Sequence, residues 1–215
     1  TITGCYVSGF DRGTMLNATW QTDEPQAPDH GFNTGRIKFG TESSGGFKNI
    51  AITNCIFERC RGLAIEAVDG GHLEDFVISN ITMRDIVNAP IFLRLGARQR
   101  SPQGTPVGAM RRINISNINV FNADSRYSCI ISGIPGHLIE DVSLSNINIY
   151  FKGGFTEEDG KIVPPENEKV YPEPWMFGTI PASGFYVRHA RGVIFDNVRF
   201  HFEKPDGRPL FIFNN

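Results

Sequence analysis

The stretch Asp75-Phe-Val-Ile-Ser-Asn-Ile-Thr-Met83 carries a pattern that recurs along the chain. Apolar and polar residues alternate on either side of a central Asn, and β-branched residues are frequent. This pattern is typical of a β-strand with one buried face. The same pattern recurs in four other segments, 49–57, 112–120, 141–149 and 192–200. Residues 1–7 match it as well if Gly4 takes the place of the Asn.

The spacing of this repeat indicates the architecture. The central Asn occupies positions 54, 80, 117, 146 and 197, so the intervals are 26, 37, 29 and 51 residues. The short intervals suit one turn of a β-solenoid, and the long ones suit the same turn carrying loops. A propeller blade would need about 40 residues and four strands in each repeat. The sequence therefore predicts an all-β, right-handed parallel β-helix of about six turns.

Each predicted turn contains a second, shorter strand. The candidates are the segments 36–39, 63–66, 91–94, 129–132, 185–188 and 210–213. Stacked turns place equivalent residues about 4.8 Å apart. We therefore expect the central Asn amides to form an internal hydrogen-bonded ladder in which Asn80 is buried. Since a solenoid normally has capped ends and Thr1 enters directly on a strand, we also expect a chain truncated at its N-terminal side.

Three long loops interrupt the predicted single domain of residues 1–215. They comprise residues 17–34, 97–111 and 152–183, and all three are rich in Pro and Gly. Loops of this length in a regular fold are usually functional. The third loop contains Tyr171, Trp175 and Phe177, which either present aromatic faces to sugar rings or pack back onto the wall of the solenoid.

Composition narrows the range of partners. The formal net charge is -2 and Lys and Arg form no run, so neither a nucleic acid nor an anionic membrane is favoured. No stretch approaches the roughly 18 apolar residues of a membrane span, and the chain shows no signal peptide. The four cysteines, Cys5, Cys55, Cys60 and Cys129, lack zinc-ligand spacing. We expect Cys5 and Cys55 to lie side by side as free thiols, and the sequence predicts neither a metal nor a cofactor.

Several segments share motifs with one enzyme family. They include Gly35-Arg-Ile-Lys-Phe-Gly-Thr-Glu-Ser-Ser-Gly-Gly, Arg61-Gly-Leu-Ala-Ile-Glu-Ala-Val-Asp-Gly-Gly, Ala89-Pro-Ile-Phe-Leu-Arg-Leu-Gly-Ala-Arg, Ile131-Ser-Gly-Ile-Pro-Gly-His, Tyr171-Pro-Glu-Pro and Phe185-Tyr-Val-Arg-His. Over nearly its whole length the chain resembles the polygalacturonase-like glycoside hydrolases, family 28, and in particular the bacterial members. The resemblance implies a secreted or periplasmic, monomeric parallel β-helix that hydrolyses pectic polysaccharide with inversion, without a cofactor.

The chain also departs from that family. The family's catalytic aspartates lie in an Asn-x-Asp motif and an Asp-Asp motif, which by their order along the chain fall before Thr1. The place of its His-Gly pair reads Thr34-Gly35 here, and its Arg-Ile-Lys motif aligns best with Ala64-Ile-Glu66. The literal Arg36-Ile-Lys38 lies one turn earlier. The resemblance therefore implies that the catalytic aspartates precede this chain.

The candidate site residues follow from this pattern. Inverting hydrolysis needs an acid and a base about 6.5–9.5 Å apart, and the catalytic candidates within this chain are Glu42, Glu66 and Asp69. Arginine and lysine side chains suit the carboxylate of galacturonate. The substrate-binding candidates are Lys38, Arg94, Arg98, His137, Tyr171, Glu173, Trp175 and Arg188. For Arg94 the alternative is an ion pair with Glu66 or Asp85.

Two other functions remain open at this point. The first is a carbohydrate-binding or structural β-solenoid without catalysis. The second is a pectate lyase-like solenoid, which would need acidic calcium ligands. No Asp cluster with the spacing of a calcium loop is present in the sequence.

Overall fold

The computed structural model describes residues 1–11, 24–25 and 35–214. The fold is all-β and is built mainly from two parallel sheets. The long-strand sheet contains β1 (Ile2–Thr3), β2 (Tyr6–Ser8), β6 (Phe47–Glu58), β8 (His72–Arg84), β10 (Ala109–Ala123), β12 (Ile139–Phe151) and β14 (Ala190–Phe202). The short-strand sheet contains β5 (Ile37–Phe39), β7 (Leu63–Ala67), β9 (Ile91–Leu95), β11 (Cys129–Ser132), β13 (Phe185–Arg188) and β15 (Phe211–Asn214). A separate antiparallel pair consists of β3 (Phe10–Asp11) and β4 (Glu24–Pro25).

From β5 onward the chain alternates between the two sheets. The long-strand sheet has the order β1-β6-β8-β10-β12-β14, and the short-strand sheet has the order β5-β7-β9-β11-β13-β15. Each new strand thus joins the edge of its own sheet, parallel to the strand before it. The segments predicted as strands all fall within or overlap these strands, and the prediction of an all-β parallel fold is confirmed.

Each long strand bends at its central Asn. Asn80 has a φ of 56°, and the equivalent Asn residues have φ between 50° and 57°. This left-handed conformation is unfavourable for most residues but is tolerated by Asn and Gly. Gly4 has a φ of 65° and continues the series, since Thr3 pairs with Thr53 and Gly4 therefore lies beside Asn54.

The Asn side chains form the predicted ladder. Asn80 Nδ2 donates to Asn54 Oδ1 over 3.3 Å, Asn117 to Asn80 over 3.2 Å, Asn146 to Asn117 over 3.3 Å and Asn197 to Asn146 over 2.8 Å. The prediction that this ladder is internal is wrong, because Asn80 is exposed. Strict alternation after the buried Ile78 would point Asn80 inward. The left-handed bend instead adds a second outward residue before the chain turns Ile81 into the core.

Replacing Asn117 tests the ladder. In Asn117→Ala we expect the free energy of unfolding to fall by about 2 kcal/mol, because two amide hydrogen bonds are lost and alanine is strained in a left-handed conformation. Asn117→Gly removes the same hydrogen bonds without that strain, so it should recover about 1 kcal/mol of the loss. Urea unfolding of both variants measures the difference. Equal losses would show that backbone strain at this position is unimportant.

Two apolar clusters hold the sheets in place. The main core lies between the sheets, where like residues stack in register, as do Ile52, Ile78, Ile115 and Leu144. The second cluster covers the outer face of the short-strand sheet. There Phe92, Ile130 and Tyr186 pack against residues of the segment 152–183, including Phe177 and Ile180.

The predicted loops have different outcomes. Residues 152–183 contain no strand but include two short 3-10 helices, Asp159–Lys161 and Pro174–Phe177. The predicted loop 97–111 is shorter in the structure, because β10 begins at Ala109. Most of the predicted loop 17–34 lies outside the described residues. Cys5 lies beside Cys55 in register and both are free thiols, as predicted. Cys60 and Cys129 are free thiols as well. Among the described residues, no helix has the length and apolar character needed to cross a membrane.

Candidate functional site

The predicted site residues meet where the segment 152–183 crosses the short-strand sheet. Because side chains alternate along a strand, Lys38 of β5 points outward between the buried Ile37 and Phe39. Glu66 of β7 also lies on this outer face, next to Lys38. Tyr171 and Glu173 of the covering segment approach the same place from outside. The sequence could not reveal that these side chains meet, because Tyr171 and Glu173 follow Lys38 and Glu66 by more than 100 residues.

Glu66 and Glu173 share a set of cations. Lys38 Nζ lies 2.8 Å from Glu66 Oε2 and 4.0 Å from Glu173 Oε1. Arg36 NH1 lies 3.7 Å from Glu66 Oε1 and 3.1 Å from Glu173 Oε2. Arg61 NH1 donates to Glu173 Oε1 over 3.3 Å. We call these five residues the ionic cluster. Arg36 and Arg61 are not among the predicted site residues. The available signal for Arg36 was its place in the literal Arg36-Ile-Lys38 sequence, and Arg61 gave no comparable signal.

Glu66 is the unusual member of the ionic cluster. Its side chain is fully buried, and neither carboxylate oxygen accepts a hydrogen bond of normal geometry from the described residues. Lys38 Nζ nevertheless lies within ion-pair distance of one of these oxygens. Burial raises the pKa of Glu66 to about 7, and the nearby charges of Lys38 and Arg36 offset only part of this rise. Glu66 therefore carries a proton during part of its time at neutral pH.

A second ion-pair group surrounds Arg98. Its guanidinium donates to both carboxylate oxygens of Asp69 and to Glu42 Oε1. Burial alone would raise the pKa of Asp69, but the hydrogen bonds from Arg98 and from the Arg100 amide hold it below its ordinary value. The hydrogen bond from Arg98 also lowers the pKa of Glu42. Both carboxylates are therefore ionised and bound to a cation.

Tyr171 connects the two groups. Its hydroxyl oxygen accepts a hydrogen bond from Lys38 Nζ over 3.1 Å. Its ring centroid lies 4.8 Å from Lys38 Nζ and 5.6 Å from Arg98 Cζ, so two cations contact one ring. The Tyr171 side chain nevertheless remains 46% exposed. The predicted binding residues Lys38, Arg98, Tyr171 and Glu173 thus lie together.

A groove of about 490 Å³ lies beside the ionic cluster. It is lined by Arg61, Val87, Asn88, Tyr127 and Trp175. Trp175 is 42% exposed, and its ring lies 5.1 Å from the guanidinium carbon of Arg61. The groove therefore combines aromatic surface with one cation. The three aromatic residues of this segment were expected either to face a sugar or to pack back onto the sheet. Phe177 packs back onto the sheet, whereas Tyr171 and Trp175 remain exposed.

Arg94 and Arg188 anchor the covering segment. Arg94 donates to Ser132 Oγ, to the Gly133 carbonyl and to the carbonyls of Glu166 and Asn167. Arg188 donates to the carbonyls of Pro164 and Pro165 and lies 3.2 Å from Glu166 Oε1. Both arginines are buried. Arg94 is the neighbour of Glu66 in register on β9, but the hydrogen bonds of both arginines go to other groups. Both side chains lie underneath the covering segment, which would have to move before they could contact a substrate.

Two expectations need correction at these positions. The alternative of an ion pair between Arg94 and Glu66 or Asp85 is wrong, because all the described hydrogen bonds of Arg94 go to carbonyls and to Ser132. Burial among these neutral partners lowers the pKa of Arg94 to about 10. His137 lies in an exposed turn after β11, where its backbone pairs with Ile134. The structure therefore does not bring His137 to the ionic cluster.

The comparisons with known proteins do not assign the chain. No family model, curated protein or solved structure matches it. The part of the chain that the structure describes contains no group of three or more His, Cys, Asp or Glu side chains placed to hold a metal ion.

Glu66 is expected to make the stability of the protein depend on pH. Its pKa in the folded state is about 7, above the ordinary value of 4.5. Folding therefore favours the protonated form, and the contribution of Glu66 to stability is complete below pH 4.5 and lost as the pH rises through 7. Glu66→Gln cannot ionise. We expect it to gain stability relative to the natural protein between pH 4.5 and pH 7, by on the order of 3 kcal/mol.

The measurement is the difference in unfolding free energy between the two proteins across this pH range. Using the difference cancels the contributions of Asp69 and Glu42, which have lowered pKa values and act at more acidic pH. A difference that does not change with pH would show that Glu66 has an ordinary pKa.

Proposed function

We propose that this chain is a right-handed parallel β-helix of the polygalacturonase-like type, belonging to a secreted or periplasmic glycoside hydrolase that cleaves pectic polysaccharide with inversion. The helical form is supported by the alternation of the chain between two parallel sheets, with each strand in register with its predecessor. In this proposal the chain supplies substrate-binding surface, and the catalytic aspartates belong to a preceding part of the protein.

One observation carries the proposal, namely the aromatic groove beside a cluster of cations. Flat aromatic faces such as that of Trp175 pack on the apolar faces of sugar rings, as they do on other apolar surfaces. Galacturonan and rhamnogalacturonan also carry a carboxylate on each galacturonate, which a guanidinium or ammonium group can hold. Trp175 and Arg61 line the groove, and Tyr171 with Lys38 lies next to it.

A second candidate function is a carbohydrate-binding solenoid without catalysis. The observation that favours it is the state of the three candidate carboxylates. Glu42 and Asp69 are both bound by Arg98, and Glu66 is buried beside Lys38. A base that activates water must be able to reach that water, which an ion-paired or buried carboxylate does poorly.

Enzyme assays distinguish the two functions. Reducing-sugar release from polygalacturonate and from rhamnogalacturonan would be measured for this chain and for the full-length product of its gene. Activity in the longer protein supports the hydrolase. Binding without activity in either protein supports the non-catalytic solenoid. Activity of this chain by itself would contradict the assignment of catalysis to a preceding segment. Glu42, Glu66 and Asp69 would then be the residues to replace.

Binding through the groove has its own test. We expect Trp175→Ala to weaken the binding of a galacturonate oligomer about tenfold, because a stacking face worth about 1 kcal/mol or more is lost. Tyr150→Ala is the matched control, since Tyr150 is similarly exposed but lies on the long-strand sheet. Calorimetric titration measures both. If the two variants lose affinity equally, or if neither does, the groove is not the binding surface.

A further inference from the structure

We infer that Asn88 is a specificity-determining residue of the groove, and that its side-chain amide donates a hydrogen bond to an oxygen atom of the sugar that packs on Trp175. This inference rests on the proposed function and adds to it the residue that orients the sugar. The ligand atom that fits is an oxygen acceptor of the pectic chain, such as a hydroxyl oxygen or a ring oxygen.

The backbone that carries Asn88 is held in place before a ligand arrives. Asn88 lies at residues 85–90, between β8 and β9. The Val87 amide donates to the Cys60 carbonyl over 3.0 Å, which ties this segment to the one between β6 and β7. Ala89, the next residue, is buried in the second apolar cluster. Because this backbone is already ordered, little conformational entropy is lost when a ligand binds to it.

The orientation of the Asn88 amide is fixed by this backbone. Its Oδ1 accepts a hydrogen bond from the Ala89 N–H over 2.8 Å. A backbone N–H group can only donate, so an amide rotated by half a turn would place two donors against each other. The end of the amide that is available to a ligand is therefore Nδ2, which is a donor.

This donor is unpaired although the residue is almost fully buried. Asn88 is 3% exposed, and its Nδ2 donates to no residue that the structure describes. Nδ2 is not sealed inside the protein, since it is absent from the enclosed polar atoms without a partner and Asn88 lines the groove. Buried side-chain amides are usually paired, so an unpaired donor at the wall of a groove is best explained by a ligand.

The rest of the groove is mainly apolar. The side chains of Val87 and Trp175 are 37% and 42% exposed, and Tyr127 adds a second aromatic residue. Arg61 also lines the groove, and its guanidinium donates to Glu173. In a pocket of this kind the apolar surface contributes much of the affinity, and a few fixed polar groups determine the orientation of the ligand. Asn88 supplies such a group.

The position of Asn88 makes it selective. A sugar that fills the groove displaces the water around Nδ2, and this loss is compensated if the sugar places an acceptor within about 3 Å of that atom. A ligand that stacks on Trp175 without such an acceptor leaves a buried donor unpaired, and it is discriminated against. Asn88 therefore selects among ligands that the aromatic faces would bind equally well.

The experiment is calorimetric titration of this chain with a galacturonic acid trimer at neutral pH. Asn88→Asp keeps the size of the side chain and the acceptor for the Ala89 N–H, but it replaces the donor by a second acceptor. We expect this variant to bind the trimer about tenfold more weakly than the natural protein. Asn88→Leu has a similar shape and no charge, and it should lose affinity to a similar extent.

Controls separate the lost hydrogen bond from added charge and from damage to the fold. Asn114→Asp adds the same charge at an exposed position of β10 on the long-strand sheet, and it should bind as the natural protein does. Thermal unfolding of Asn88→Asp should give a melting temperature close to the natural one, since the Ala89 N–H keeps its acceptor. If Asn88→Leu does not fold, titration of Asn88→Asp at high ionic strength replaces it, because salt weakens charge repulsion but does not restore a hydrogen bond.

The outcomes separate this inference from the function on which it rests. Natural affinity in Asn88→Asp, together with weaker binding in Trp175→Ala, would overturn the role of Asn88 and leave the proposed function standing. Weaker binding in Asn88→Asp that is absent from Asn88→Leu or disappears in salt, or an equal loss in Asn114→Asp, would assign the effect to charge and would also overturn that role. Failure of the natural protein to bind any pectic oligomer would overturn the proposed function together with this inference.

Discussion

Replacing Phe76 by alanine is expected to lower the free energy of unfolding by about 3–5 kcal/mol. Phe76 lies in β8 with its side chain 1% exposed in the main core. Its ring packs edge-on against that of Phe39, with centroids 5.1 Å apart and planes at 89°. Alanine would leave a cavity between the two sheets, because parallel strands held in register on both sides cannot easily collapse into it. Urea unfolding at neutral pH measures the loss.

The adjacent residue supplies the control. Val77 follows Phe76 in the same strand, but it points to the outer face and is 53% exposed. We expect Val77→Ala to change the stability by no more than about 0.5 kcal/mol. The contrast between two consecutive residues tests which face of the long-strand sheet is the core. Similar losses in both variants would contradict the inward orientation of Phe76.

The parallel sheets could be predicted from the sequence because the relevant signal is local and repeated. Apolar residues alternate around each central Asn, and equivalent positions stack in the structure, as Ile78 and Ile115 do. The requirement for a left-handed residue is also local, which is why Gly4 could be recognised as the substitute for Asn. The alternation of apolar and polar residues could not predict the direction of the Asn side chain, because the left-handed bend shifts the alternation by one residue.

The candidate site was predicted only in part, because its contacts join distant segments without a period. Lys38 and Tyr171 were both candidates, but nothing in the sequence pairs them. Arg94 attracted notice as a charge within an apolar strand, yet its partners are mainly backbone carbonyls. A carbonyl has no sequence signature, so an arginine bound to carbonyls cannot be distinguished in advance from one that awaits a substrate carboxylate.

Arg94→Ala is expected to destabilise the protein by about 3–5 kcal/mol and to loosen the covering segment. The guanidinium is buried and donates four hydrogen bonds, two of them to the carbonyls of Glu166 and Asn167 within that segment. It also lies over the ring of Phe177 at 5.2 Å. Removal of the side chain leaves buried acceptors without donors, which costs about 1–3 kcal/mol for each strongly buried group. The loss is smaller wherever water replaces the guanidinium.

Two measurements distinguish anchoring of the segment from general damage to the fold. The first is urea unfolding, and the second is the rate of limited proteolysis within residues 152–183 under native conditions. We expect cleavage there to accelerate in Arg94→Ala, because the segment opens locally more often once its central anchor is gone. Arg191→Ala is the matched control, since Arg191 is an exposed arginine paired with Glu140 on the long-strand sheet, and such pairs contribute little. If Arg94→Ala loses stability while cleavage of the segment keeps its natural rate, Arg94 supports the sheet and not the covering segment.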